Sequence, residues 1–196
     1  LQSRKLPGQF FTYWGMLFIS GFIIGSPLFF YQIWAFIAPA LEKQERWKTI
    51  LTAFFITFFF GVGIAFGYLM LVPFALQFFA NFNISDSGLV RNDFDINAYF
   101  SSLAMWVVSC GIIFQVPVLS YGLSKAGFLT PLFLRTYRKH AIILCLVLAA
   151  FLTPPDPISQ VLIAIPLVIL YEIAIGVSAI AVRQRTKELR KAFGEE

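Results

Sequence analysis

The chain has 196 residues, 59% of them hydrophobic and 13% charged, with a formal net charge of +5. A soluble domain carries roughly 25% charged residues, so this composition excludes an ordinary water-soluble globule and indicates a membrane protein. The positive excess is too small and scattered for a nucleic-acid binder. Cys110 and Cys145 both lie inside apolar runs, as small core residues rather than a disulfide or a metal pair.

Five apolar segments follow one another: Phe10 to Ile37, Ile50 to Ala80, Ala98 to Leu123, Ala141 to Leu152 and Ile158 to Val182. Lipid gives the backbone no hydrogen-bond partner, and none of the five alternates like a barrel strand, so each is predicted to be a helix. The expected fold is therefore all-α, one polytopic bundle over residues 1–196 with spans at about 10–37, 50–80, 98–123, 141–152 and 158–182 and a basic tail at 183–196. Pro27, Pro73, Pro117 and Pro166 put kinks or helix ends into four of these spans, which bends the bundle towards a cup.

Charge sets the orientation. Lys43, Arg46 and Lys48, then Lys125, Arg135, Arg138 and Lys139, then Arg183, Arg185, Lys187, Arg190 and Lys191 share one side, leaving Arg4, Lys5 and Arg91 on the other. The positive-inside rule puts the twelve in the cytoplasm. An odd number of spans then starts outside, which a further cytoplasm-first helix ahead of Leu1 would repair; no cleavable targeting pattern is visible at the start. The fourth segment, twelve residues or roughly 18 Å, is short against a core of about 30 Å. With the fifth it forms a hairpin at FLTPPDPISQ that either crosses twice or turns back, and that thins the bilayer or is shielded by neighbours. The loop Asn81 to Asn97, with Asp86, Asp93 and Asp95, is long and acidic and suits a cap on the bundle.

Ionisable groups inside spans cost about 2.5 to 3.5 kcal/mol on insertion scales, so each is a functional candidate. Glu172 is the central one, either protonated or paired towards the bundle interior. Gln115 either bonds the carbonyls that Pro117 leaves unpaired or lines a polar groove. Gly63 and Gly67 form a small-xxx-small pair suited to close packing, and Trp14, Trp34, Trp47 and Trp106 read as an interfacial belt. Catalysis finds no support: His140 is interfacial, and no serine with a base, paired aspartates or HExxH helix is present. At the rim, Pro39 can open a short helix with Glu42 in its first turn, and Glu42 with Arg46 or Glu45 with Lys48 can pair at helical spacing. The rival is an anionic spot that grips a guanidinium two bonds at a time.

The stretches SPLFFYQIWAFIAPALEKQER, FQVPV and LTPPDPISQVLIAIPLVILYEI, in order between Gly21 and Gly176, closely resemble TatC, the receptor subunit of the twin-arginine protein translocase. The resemblance implies a six-helix, cofactor-free family with cytoplasmic termini, whose first helix has no match here. It implies binding of twin-arginine signal peptides of folded precursors, and single-span TatA- and TatB-type partners. It also implies work driven by the proton-motive force, homo-oligomers in the assembled complex, and a bacterial inner or thylakoid-type membrane. By the same resemblance Glu45 meets the arginine pair, Phe36, Pro39 and Leu41 belong to that surface, and Gln115 holds a membrane-buried Glu or Gln position in the concave face. Thr153 and Gln160 match a polar cluster that holds a partner helix, with Asp156 the outer-loop acid between them. A secondary transporter with a midplane site at Gln115 and Glu172 is the alternative, although no internal repeat supports it.

Overall fold

The structure is a computed structural model that describes residues 7–41, 46–82, 95–153 and 157–193, with side chains described from 7–36, 50–82, 95–153, 157, 160–187 and 190. Among the described residues the chain is helical almost throughout: α1 Gly8–Leu41, α2 Arg46–Phe66, α3 Val72–Asn81, α4 Ile96–Ile113, α5 Val116–Ala126, α6 Pro131–Thr136, α7 Arg138–Leu152 and α8 Pro157–Phe193. Among the described residues four stretches are long and apolar enough to cross a membrane: Gly8–Phe36, Ile50–Asn81, Ile96–Ala126 and Gln160–Lys187. The all-helical expectation holds. The short fourth segment is also a helix, α7, but its 15 residues leave it below that length.

Two of the four prolines change the helix and two do not. Pro73 lacks an N–H and its ring crowds the carbonyl four residues back. The chain absorbs this with a π-helical turn, Gly67–Leu71, in which Val72 N–H reaches back to Gly67 O, so α2 and α3 run on as one bent rod. Pro117 instead ends α4: Gln115 N–H bonds Ile112 O at 3.0 Å, a tighter turn, before α5 begins. Pro27 and Pro166 lie inside α1 and α8, which stay continuous.

That break at Gln115 divides the packing. α4 lies against α1 and α2, whereas α5 lies along α8, and α7 and α6 pack on α8 as well. Two glycines allow the first group to close. A Cβ on Gly63 would come within 2.7 Å of Cys110 O and 2.8 Å of Gly111 Cα, and one on Gly111 would meet the Phe60 ring at 2.7 Å. The second group is tied by a buried hydroxyl pair, Ser124 and Ser178 at 2.6 Å. One core joins the groups, running from Leu71, Cys110 and Phe114 to Ala149, Ile163 and Leu167. Trp34 is part of a smaller cluster with Ile56, Phe30, Val118 and Tyr121. Its burial, at 5% exposed, corrects the interfacial-belt expectation for this residue: α1, α2 and α5 close around the indole.

Candidate functional site

The site is built around the α4–α5 break. A normal helix would pair Gly111 O with Gln115 N–H, but that N–H has turned to Ile112 O. The Gln115 side chain takes up the slack. Its Nε2 donates to Ile56 O on α2 at 3.3 Å and comes within 3.5 Å of Gly111 O. The carbonyl that Pro117 leaves without its usual partner is Ile113 O, so neither contact is the proline-freed bond of the sequence expectation; the amide instead staples α2 to the break. An amide suits this place because it offers two donors without the desolvation of a charge.

Beside the staple, α2, α5 and α8 leave a cavity of about 420 Å³ lined by Leu51, Phe55, Phe59, Pro117, Val118, Val177 and Ile180, with Thr52, Tyr121 and Gln184 the polar members. This size lies within the range of pockets that bury a drug-sized ligand or a few large side chains. Tyr121 Oη donates to Gln184 Oε1 at 3.0 Å, which ties α5 to α8. The α5–α6 turn below is fixed by a complete Schellman motif, Phe128 N–H to Leu123 O and Gly127 N–H to Ser124 O, with Gly127 at φ +91°. Gly127 is needed for its backbone angle, and a Cβ there would also meet the Arg185 guanidinium, which would have to swing aside. Thr130 then caps α6 by accepting from Phe133 N–H at 3.2 Å, with Pro131 next in the chain.

The predicted site residues divide into three sets. Phe36 is 86% exposed near the end of α1, available to a visitor rather than packed. Pro39 and Leu41 lie in α1, but their side chains fall outside the described residues, as do Glu42, Glu45 and Asp156 altogether. Thr153 is buried and donates to Ala149 O at 2.8 Å, while Gln160 Nε2 donates to Leu146 O at 3.2 Å and thereby joins α8 to α7. Glu172 is paired, with Arg138 Nη2 at 2.6 Å, but both side chains remain 43–49% exposed, so the pair lies on the flank of the bundle and not in its interior. Gln115 and Glu172 thus hold different partners on different helices, and no shared polar site forms between them.

Sequence reasoning did not find the cavity or the Tyr121–Gln184 and Ser124–Ser178 ties. The spacing of Tyr121 and Ser124, three apart on one short helix, was the available signal. Which helix would answer them depends on the break at Gln115, and that is a tertiary outcome.

Comparison with known proteins agrees with this architecture. The family model "Sec-independent protein translocase protein (TatC)" matches residues 1–166. The Sec-independent protein translocase protein TatC of Blattabacterium sp. subsp. Periplaneta americana is 40% identical over 178 residues, 91% of this chain and 66% of that protein. The TatC of Halalkalibacterium halodurans is 36% identical over 100% of this chain and 76% of its own length, and TatCy of Bacillus subtilis is 36% identical over 95% and 73%. A crystal structure of the twin-arginine translocase receptor TatC in DDM superposes with a TM-score of 0.75 at 34% identity, covering 90% of this chain and 78% of that one. A second crystal structure of that receptor gives 0.73 at 35% identity, over 92% and 78%. The chain thus spans about two thirds to three quarters of the length of these relatives.

Proposed function

Since this chain belongs to the TatC family of Sec-independent protein translocase proteins, we propose that it acts as the membrane receptor for twin-arginine signal peptides. It would present folded precursors for export and scaffold single-span TatA- and TatB-type subunits, with the proton-motive force as the energy source. The membrane is a bacterial inner or thylakoid-type membrane. The α1–α2 loop, the α5–α7 turns and the basic end of α8 face the cytoplasm by the positive-inside rule.

The arginine pair meets Glu45 at the rim, because a carboxylate accepts the guanidinium fork through two parallel bonds. Phe36, Pro39 and Leu41 supply the apolar border of that contact. The observation that carries this proposal is the cavity between α2, α5 and α8, an apolar recess whose α2 lining begins a few residues after the acid in the sequence. Its first lining residue, Leu51, comes five residues after Arg46, about 7.5 Å along α2. A signal that anchors its arginines at residue 45 has its apolar part within reach of that recess. The partner subunit's helix docks where α7 meets α8: Gln160 lies at the start of α8, the buried Thr153 holds the end of α7 through Ala149 O, and Asp156 falls between them in the sequence.

The test is binding of a labelled twin-arginine peptide to the purified chain in nanodiscs. Glu45→Ala is expected to weaken binding at least tenfold and Glu45→Lys further, with thermal stability unchanged. Equal binding by the parent and both variants would refute the role of Glu45.

A further inference from the structure

The side of α7 that faces away from α8 carries two features that the signal-peptide site at Glu45 does not use. Along its length Ile143, Leu144, Val147 and Phe151 are 45–77% exposed, an apolar stripe about 12 Å long. At its head Arg135, Lys139 and His140 are exposed and, among the described residues, have no acidic partner, while Arg138 is held by Glu172. Phe133 and Tyr137 pack beside them as a tilted pair, with ring centres 4.6 Å apart and the His140 ring 5.6 Å from Tyr137.

Bases at the head of a lipid-facing helix, aromatic rings at the same level and an exposed apolar stripe below match the three parts of a phospholipid: anionic headgroup, ester region and acyl chain. We propose that this face of α7 seats one anionic phospholipid, its phosphate on Arg135, Lys139 and His140 and its acyl chain along Ile143 to Phe151. Charge favours this occupant. A zwitterionic headgroup brings its own cation into the basic cluster, whereas phosphatidylglycerol brings only the negative charge. The pair with Glu172 keeps Arg138 from competing for the same phosphate and fixes the start of α7 beneath it.

The full chain in detergent, titrated with phosphatidylglycerol or phosphatidylcholine and read by native mass spectrometry, tests this. The parent is expected to retain one phosphatidylglycerol with about tenfold preference over phosphatidylcholine. The combined Arg135→Gln, Lys139→Gln and His140→Gln variant is expected to lose that preference. A control carrying Arg183→Gln, Lys187→Gln and Arg190→Gln, which alters exposed bases at the far end of α8, keeps it. Equal loss in both variants, or none in either, overturns the site. So does displacement of the lipid by millimolar glycerol phosphate, since that would make it a site for the phosphate group alone. A photocrosslinker replacing Leu144 should capture lipid, whereas capture of a single-span protein helix in its place would mean that a partner subunit occupies this face.

Discussion

At the α2–α4 junction two backbones come so close that even a methyl group is excluded at Gly63, and the one long polar side chain there, Gln115, is uncharged and bonded to carbonyls. On the α7–α8 hairpin the opposite arrangement holds: a full ion pair, Arg138 with Glu172, sits half-exposed on the flank. In an apolar medium the first design works because an amide can satisfy carbonyls without ionic desolvation, and the second because two charges on a flank can snorkel towards the interface together. The α2–α4 contact is therefore closed by shape. The hairpin flank keeps charge where it can meet headgroups or partners.

Substitutions should expose that contrast in order of size. Gly63→Ala drives a methyl into the Cys110 and Gly111 backbone and is expected to destabilise by about 2–3 kcal/mol or to abolish monodisperse expression. Gly61→Ala, on the same helix with nothing within 4 Å of the added Cβ, should be neutral in the same thermal-unfolding assay. Gln115→Leu removes the staple and leaves Gly111 O unpaired, a loss of about 1–2 kcal/mol that lowers Tm in detergent. Glu172→Gln is expected to cost less, about 1 kcal/mol or below, because the pair is half-exposed, and the effect should shrink in high salt while that of Gln115→Leu does not. Phe36→Ala should leave Tm unchanged and weaken peptide binding several-fold, since the ring touches solvent or lipid far more than protein.

Composition and hydropathy sufficed for the helices, because in lipid no other backbone arrangement is available to runs this apolar. The polar residues were harder. Gln115 and Glu172 carry the same signal in the sequence, a costly group inside an apolar run, yet one is bonded to the backbone of a neighbouring helix and the other to a base thirty-four residues away. Sequence states the cost of burying such a group but not the partner that relieves it. Pro117 beside Gln115 was a local clue to the helix break, but the carbonyls that the amide meets, Ile56 O and Gly111 O, are not the one that Pro117 leaves unpaired. Glu172 had no such neighbour, and its placement depends on how far the short α7 reaches along α8. Trp34 shows the same limit from the apolar side. A tryptophan near the end of a span suggests an interface, and only the convergence of α2 and α5 on α1 buries it.

The sharpest test asks which of the two regions receives the signal. Photocrosslinkers placed one at a time at Phe55, inside the α2–α5–α8 cavity, and at Ile143, on the outer face of α7, would be probed with a twin-arginine peptide and with its lysine-pair counterpart. Capture of the apolar part of the arginine peptide from position 55, and much weaker capture of the lysine peptide, is the expected result. Capture from position 143 alone, or equal capture of both peptides from position 55, would contradict a receptor site in which an arginine-anchored signal lies in that cavity.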